Sequence, residues 1–485
     1  MTTVHFAWQV IDYVFIVNIV FAILVIFFER HNPTVTLTWL LVLFFMPVLG
    51  FLFYIFLGQD LRKKKLFYLK EEEEQKFFPQ LTQQDESLHN NQLCFINPQV
   101  REYRNIIHLH LNSNQSLFSQ DNDVEVFDDG KRLFQELVNS LENAQNYIHM
   151  EYYIIRNDHI GKTIRDILVS KARSGVEVKL LYDGMGCLHL PRKFFKPLIS
   201  AGAEVSQFFP PFFPYINLRL NYRNHRKICI VDGCEGFIGG FNIGDEYLGL
   251  SKEYGYWRDS HLRIKGSALD GLQLRFLLDW RYTCGYDFRV EEKYFPERVA
   301  QGTTGVQIVS SGPDSKWNSI KDGFLRMISS AQQKVYIQTP YFVPDDSILE
   351  ALKIAALSGV DVILMIPDKA DHLFVHWANL SYVGELLEAG ARCFAYSRER
   401  FLHSKMLLVD GFVSSVGTTN MDIRSFELNF EVNAFIYDEQ VTMNLEEGFL
   451  RDLENSYEIL VEDYLKRPAR VRIKEALCRL LSPLL

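Results

Sequence analysis

The chain has 485 residues, a formal net charge of −9 and an aromatic fraction of 14%. That length accommodates two or three domains with substantial cores. The acidic balance leaves no overall electrostatic footprint for nucleic acid, so any anionic substrate has to be met by local positive groups.

In chain order, the first features are two uncharged runs, Tyr13 to Phe28 with 16 residues and Thr34 to Leu57 with 24. They flank a tight polar loop, Glu29-Arg30-His31-Asn32-Pro33. Crossing the hydrocarbon of a bilayer takes about 20 apolar residues. No Lys or Arg precedes the first run, which argues against a signal peptide. Residues 1–60 are therefore expected to be a transmembrane helical hairpin, with spans at about 10–28 and 34–57. Arg62-Lys63-Lys64-Lys65 follows the second span, and the positive-inside rule puts that end and the body behind it in the cytoplasm. The same cluster can hold anionic lipid headgroups at roughly 1 kcal/mol per charge. Residues 61–120, opening with Glu71 to Glu74, read as polar linker and surface helices.

Beyond residue 120 the chain says nearly the same thing twice. ENAQNYIHMEYYI, SGVEVKLLYD and SAGAEVSQF in the first pass answer to SSAQQKVYIQTPYF, SGVDVILMIPD and EAGARCFAY in the second. Gly175 maps to Gly359 and Gly202 to Gly390, near-constant offsets that imply duplication. Strands are expected at Tyr147 to Ile155, Val176 to Tyr182 and Ile228 to Val231, and helices at Arg132 to Ala144 and Ile160 to Arg173. That alternation predicts an α/β class, with two pseudo-twofold-related α/β sandwiches around mixed sheets at 121–295 and 296–485.

Each pass ends in the pattern His-x-Lys-x-x-x-x-Asp, as HRKICIVD (His225, Lys227, Asp232) and HSKMLLVD (His403, Lys405, Asp410). One such match arises by chance in about 4% of chains this long, and two in roughly 0.1%. Asn242 and Asn420 each lie 17 residues after their histidine. Seven cysteines are scattered without a C-x-x-C pair, which fits a reducing compartment. Cys229 and Cys234, around the first motif, are expected to be small buried hydrophobes and not metal ligands.

Residues two apart on a strand share a face, so each motif presents one imidazole and one ammonium together. Two halves facing each other would bring two of each to a common seam, which is what phosphodiester cleavage needs. A neutral imidazole attacks phosphorus while a protonated one opposite supplies the leaving alkoxide with a proton. Two lysines offset the charge on the non-bridging oxygens, and no divalent metal or other cofactor is required. Asp259 and Glu431, at matching places in WRDSHLRI and NFEVNAFI, are candidates for orienting the imidazoles. Asp232 and Asp410 are either part of the catalytic triplets or turn carboxylates capping backbone amides. Asn242 and Asn420 are candidate donors to phosphate oxygens.

These motifs, the hairpin ERHNPTVTLTWLLVLFFMPVLGFLFYIFLG, and the stretches LNYRNHRKICIVDG, GGFNIGDEY and YWRDSHLRIKG resemble the phospholipase D superfamily. Within it they are most similar to the bacterial cardiolipin synthases. The resemblance implies a membrane-bound phosphatidyltransferase whose lipid partner is phosphatidylglycerol. His225 would form a phosphohistidine, and His403 would act as general acid and then base. A hydrolase that lets water attack, a transferase using another lipid alcohol, and a non-catalytic lipid-binding scaffold are the competing readings. The tail from Tyr464 to Leu485 alternates basic and apolar residues. It suits either a basic amphipathic segment on an anionic surface or a helix packed on the catalytic body.

Overall fold

The computed structural model describes residues 71–209, 221–285, 290–369 and 373–480. It also describes 33–46, 482 and single positions between 16 and 54. Most of the first expected span, part of the second, and the basic cluster at 62–65 lie outside these residues. What is described there is a helix, Pro33–Phe45, whose Leu37, Leu41, Phe44 and Phe45 are exposed. Among the described residues no helix is long and apolar enough to cross a membrane.

Residues 118–458 contain nineteen described strands. The first half carries β1 (Phe118–Asp129), β2 (Tyr147–Tyr152), β3 (Glu177–Asp183), β4 (Glu204–Phe208), β5 (Arg223–Asn224), β6 (Lys227–Val231), β7 (Glu235–Gly239) and β8 (Tyr256–Lys265). The second carries β9 (Thr304–Ser311), β10 (Lys334–Gln338), β11 (Phe342–Val343), β12 (Asp361–Pro367), β13 (Arg392–Tyr396) and β14 (Arg400–Leu402). It continues with β15 (Met406–Val409), β16 (Val413–Gly417), β17 (Met421–Asp422), β18 (Asn429–Tyr437) and β19 (Ser456–Glu458).

The two halves repeat one topology. In the first the order is β4-β3-β2-β6-β7-β8-β1, with β2, β3 and β4 parallel and the rest antiparallel. In the second it is β13-β12-β10-β15-β16-β18-β9, with the same pattern of directions. The mixed sheets expected from the sequence are present, and the strands fall within a few residues of their expected places. Helices Gly130–Asn143 and His159–Arg173 cover the first sheet, each capped by an aspartate side chain at its start. Gly175 and Gly359 take φ of 95° and 90° after their helices, a left-handed turn that costs glycine nothing.

Three ladders join the halves: β1 with β9, β5 with β18 and β8 with β14. The last two matter most, because β5 and β14 are the short strands that lead into the two histidines. Each motif thus enters along a strand of the opposite half.

Residues 71–114 contribute more than linker and surface. Val100, Tyr103, Ile106, Ile107 and Leu111 are buried in the core of the second half, along with Phe324, Val335 and Leu407. The helix Arg104–Asn114 is amphipathic, and its polar face disguised this role in a reading by composition.

A buried ion pair fixes each side of the junction. Arg226, inside the first motif, reaches Asp279 Oδ2 at 2.7 Å and also donates to the carbonyls of Glu431 and Ser311 at 3.2 Å. In the second motif Ser404 replaces that arginine, and the cation comes instead from Arg258 of β8, 2.7 Å from Asp452 Oδ2. Asp279 and Asp452 sit on matching helices, Leu269–Cys284 and Glu439–Leu453. Arg226→Met would leave the buried Asp279 with Arg275 as its remaining ion partner among the described residues and strip two carbonyls of their donor. It is expected to cost about 3–5 kcal/mol, read as a lowered denaturation midpoint in detergent solution.

Candidate active site

The histidines sit where the short entry strands end. His225 N–H donates to the Phe430 carbonyl at 2.9 Å, and His403 N–H to the Arg258 carbonyl at 2.7 Å. These two bonds set each imidazole beside the next residue of the facing strand, which is a carboxylate in both cases. His225 Nδ1 lies 2.9 and 3.0 Å from the two oxygens of Glu431. His403 Nδ1 lies 2.6 Å from Asp259 Oδ2. The pairs are therefore crossed: each half's histidine is held by the other half's carboxylate.

Both carboxylates are fully buried and tightly bound. Glu431 accepts from Thr418 Oγ1 at 2.5 Å and Asn429 Nδ2 at 3.2 Å. Asp259 accepts from the Ser260 amide at 2.8 Å. Burial opposes their ionisation, yet neighbouring cations and hydrogen bonds outweigh it. The net effect holds Asp259 below the usual carboxylate range through Lys405 and His403, and Glu431 likewise through His225 and Lys227. Their role toward the rings is to fix the tautomer, with the proton on Nδ1 and the lone pair on Nε2.

The lysines complete the seam. Lys227 Nζ donates to the His225 carbonyl at 2.6 Å, and Lys405 Nζ to the His403 carbonyl at 2.5 Å. Lys405 Nζ also lies 2.8 and 3.2 Å from the ring nitrogens of His403. Since Asp259 claims the Nδ1 proton, that ammonium acts on the ring as a nearby charge. Burial lowers His225 to about 4, with Glu431 opposing and Lys227 and Lys405 assisting. Burial and Lys405 lower His403 too. Lys227 falls to about 7, again chiefly through burial. Each lysine thus acts on the other half's histidine, which brings all four groups into one site.

Asp232 and Asp410 stand elsewhere. Asp232 accepts the amides of Gln145, Asn146 and Tyr147 at 2.6–2.8 Å. Asp410 accepts those of Gln332, Gln333 and Lys334 at 2.8–2.9 Å. Both adopt positive φ, at 53° and 52°, in the turn beyond their strand. Five residues of extended chain put them about 16 Å from the motif lysines. Of the two readings offered by the sequence, the hydrogen bonds are those of the turn cap. Of the two motif cysteines, Cys229 is buried on β6, whereas Cys234 is exposed in the turn.

The asparagines lie close to the seam but differ. Asn242 Oδ1 accepts the Ile154 amide at 3.0 Å, and its side chain also hydrogen-bonds the Tyr247 hydroxyl. Asn420 is buried, and its Oδ1 finds no partner among the described residues. Sequence reasoning overlooked Thr418 and Gly240. A Cβ on Gly240 would overlap the Asp259 carboxylate, so only glycine lets that side chain reach His403. The Gly-Gly and Gly-Thr steps before the two asparagines were the available signal.

Two facing α/β halves with a buried pair of histidines and lysines define the phospholipase D-like class. A family model described as cardiolipin synthase, phospholipase D-like domain, matches residues 137–266 and 324–453. A phospholipase D-nuclease N-terminal model matches 16–59. The chain is 48% identical to the major cardiolipin synthase of Bacillus subtilis (strain 168), over 97% of this chain and 98% of that protein. It is also 48% identical to a Listeria monocytogenes (serotype 4a, strain HCC23) cardiolipin synthase at the same coverage. Among solved structures, the phosphatidylserine synthase of Haemophilus influenzae Rd KW20 shares the fold, with a TM-score of 0.59 at 15% identity. That likeness covers 79% of this chain and all of the other. The chain belongs to the cardiolipin synthase family of phospholipase D-like proteins.

Three substitutions check the crossed geometry. Glu431→Gln and Asp259→Asn are each expected to lower turnover by roughly 10³–10⁴-fold, the scale seen when a histidine loses its orienting carboxylate. Gly240→Ala should approach Asp259→Asn in effect. Asp232→Ala is expected to differ in kind: it should lower stability by about 2–4 kcal/mol while the folded fraction keeps its turnover. Parallel melting curves and rate measurements separate the two classes.

Proposed function

We propose that the chain is a cardiolipin synthase, a phosphatidyltransferase that joins two phosphatidylglycerols and releases glycerol. The observation that carries this reading is the crossed pair of buried histidines between two lysines, in a chain 48% identical over nearly its whole length to proteins named for that activity.

In the first step His225 Nε2 attacks phosphorus, and the bond from phosphorus to the leaving glycerol oxygen breaks. His403 gives that oxygen its proton. Burial keeps His225 neutral and nucleophilic above a pH of about 4. His403 lies below its ordinary value without substrate. A phosphodiester anion placed between the lysines offsets their charge and lets His403 carry the proton it donates. In the second step His403 takes the proton from a terminal hydroxyl of the second phosphatidylglycerol. The freed oxygen attacks phosphorus, the phosphorus–nitrogen bond breaks, and cardiolipin forms. Lys227 and Lys405, with Asn242 and Asn420 as further donors, stabilise the charge on the non-bridging oxygens. Asp259 and Glu431 position the rings, and Asp232 and Asp410 hold the ends of the motif strands.

The reaction places donor, acceptor and product in a bilayer, and several features support an anchor there. Residues 16–59 match the N-terminal model, and the described helix Pro33–Phe45 exposes Leu37, Leu41, Phe44 and Phe45. The reading retained is a hairpin over residues 1–60 in a bacterial cell membrane, a connecting segment over 61–120, and two catalytic halves at 121–295 and 296–485 facing the cytoplasm. A tethered enzyme meets its substrates at high effective concentration. The C-terminal helix Ala469–Leu480 combines both roles raised by its sequence. Glu475 and Cys478 are buried against the body, while Ile473, Leu477 and Leu480 form an exposed stripe suited to an anionic lipid surface.

Incubation of the reconstituted protein with phosphatidylglycerol alone should yield cardiolipin and glycerol in equal amounts, with both lost in His225→Ala and in His403→Ala. Phosphatidic acid as the main product would establish hydrolysis instead. The pH profile of kcat/KM should rise through about 4, as His225 loses its proton, and fall through about 7, as Lys227 loses its own. Glu431 raises both values, so Glu431→Gln should move both limbs to lower pH in its residual activity.

A further inference from the structure

The site has pseudo-twofold symmetry, but its reaction does not: one lipid gives a phosphatidyl group and another receives it. The acceptor brings a second phosphodiester, for which the four motif cations and imidazoles, gathered around the first, have no spare capacity. A second anion entering a poorly solvated site needs cations of its own.

The surroundings of the two histidines differ in the way this requires. Next to His225 stands Tyr153, its ring edge-on at 4.9 Å, with Lys227 Nζ 5.3 Å from the centre of the same ring. Two arginines adjoin Tyr153. Arg223 lies on β5, opposite Asn429 of β18, and donates to the Tyr153 hydroxyl. Arg424 belongs to the helical turn Ile423–Glu427 that runs into β18, and its carbonyl accepts the Leu428 amide at 2.8 Å. One arginine comes from each half, and both are half-buried. Burial first, and Arg223 next, lower Arg424 below the usual arginine range, which reports two like charges held together.

The two arginines also face acids, Arg223 toward Asp183 and Arg424 toward Asp422, and backbone amides anchor both carboxylates. Asp183 accepts the amides of Met185, Gly186 and Asn224, each at 2.8 Å, and Asp422 caps its helix through the Ser425 amide at 2.6 Å. Around His403 the matching positions carry no cations. Counting back two residues from each histidine, Arg223 corresponds to Phe401, which packs with Trp257 against the His403 ring. Counting four residues on from each asparagine, Arg424 corresponds to Glu246, which pairs with Arg156 at 3.4 Å.

We propose that Arg223, Arg424 and Tyr153 form a binding site for the phosphodiester of the acceptor lipid, one ring's width from His225. This side of the site is the acceptor side, whereas the His403 side is walled by the buried rings of Phe401 and Trp257 and offers no second anion site among the described residues. The inference rests on the transfer reaction proposed above and deepens it by assigning acceptor specificity. Arginine suits the task because its planar fork binds phosphate oxygens in pairs.

The test measures two rates on one preparation of the full-length protein in vesicles containing phosphatidylglycerol. One is cardiolipin formation. The other is incorporation of labelled glycerol into phosphatidylglycerol, which uses the donor half-reaction and an uncharged acceptor. Their ratio does not depend on how much protein is folded. Arg223→Gln and Arg424→Gln are expected to lower cardiolipin formation relative to glycerol exchange by roughly 10- to 100-fold, with Arg424→Lys, which keeps the charge but loses the fork, falling between Arg424→Gln and the unmodified protein. The unmodified protein should also prefer phosphatidylglycerol at least about tenfold over a monoacylglycerol, which offers the same free hydroxyls without phosphate. An unchanged ratio in the glutamine variants, or no preference against monoacylglycerol, would overturn the acceptor assignment. Loss of both reactions in the unmodified protein would overturn the transferase reading itself.

Discussion

Each motif histidine depends on a carboxylate that its own half does not possess. His225 leans on Glu431 and His403 on Asp259, so neither motif histidine finds its carboxylate within its own half. The crossing follows from two short strands. β5 pairs with β18 and β14 with β8, so the backbone that delivers each histidine is aligned by the strand that bears its partner. The site is therefore as rigid as the junction between the halves. Arg226, anchored by Asp279 and bonded to the Glu431 and Ser311 carbonyls, braces one side of that junction, and the Arg258–Asp452 pair crosses it on the other. They also show duplication drifting: the acid keeps its place on the matching helix, while the cation has moved from the motif to the opposing strand.

Burial does the chemical tuning. Two lysines that would be cationic in water, and two imidazoles that would titrate near neutrality, are held where charge is costly. The outcome is a neutral His225 and a Lys227 that titrates near neutrality, beside two carboxylates kept ionised by their cations. Such a site gains most from an anion that settles between the lysines, because the substrate supplies the compensating charge. Excluding water also favours a lipid alcohol over hydrolysis in the second step.

The pseudo-symmetry is strict where phosphorus is handled and relaxed around it. The histidine, lysine and orienting carboxylate have counterparts in both halves. The flanking layer does not: Tyr153 with two arginines on one side, Trp257 and Phe401 on the other. A transfer between two lipids needs a common centre flanked by two different surroundings, and the two sides of this site differ in that way.

The sequence by itself determined the repeat, the α/β class, the strand and helix positions around the motifs, and the histidines and lysines. All of these follow from local periodicity and spacing, which survive in a one-dimensional string. It also singled out Asp259 and Glu431, because a duplicated position is visible even when its role is not. Which histidine each carboxylate serves was decided only by the tertiary structure, since pairing across the seam joins residues about 150–200 positions apart. The capping role of Asp232 and Asp410 was likewise undecided, because a turn carboxylate and a catalytic one look alike until their hydrogen bonds are drawn. The arginine pair escaped notice for a related reason. Arg223 and Arg424 are ordinary charged residues in their own segments, and only the packing of β5 beside β18 makes them neighbours.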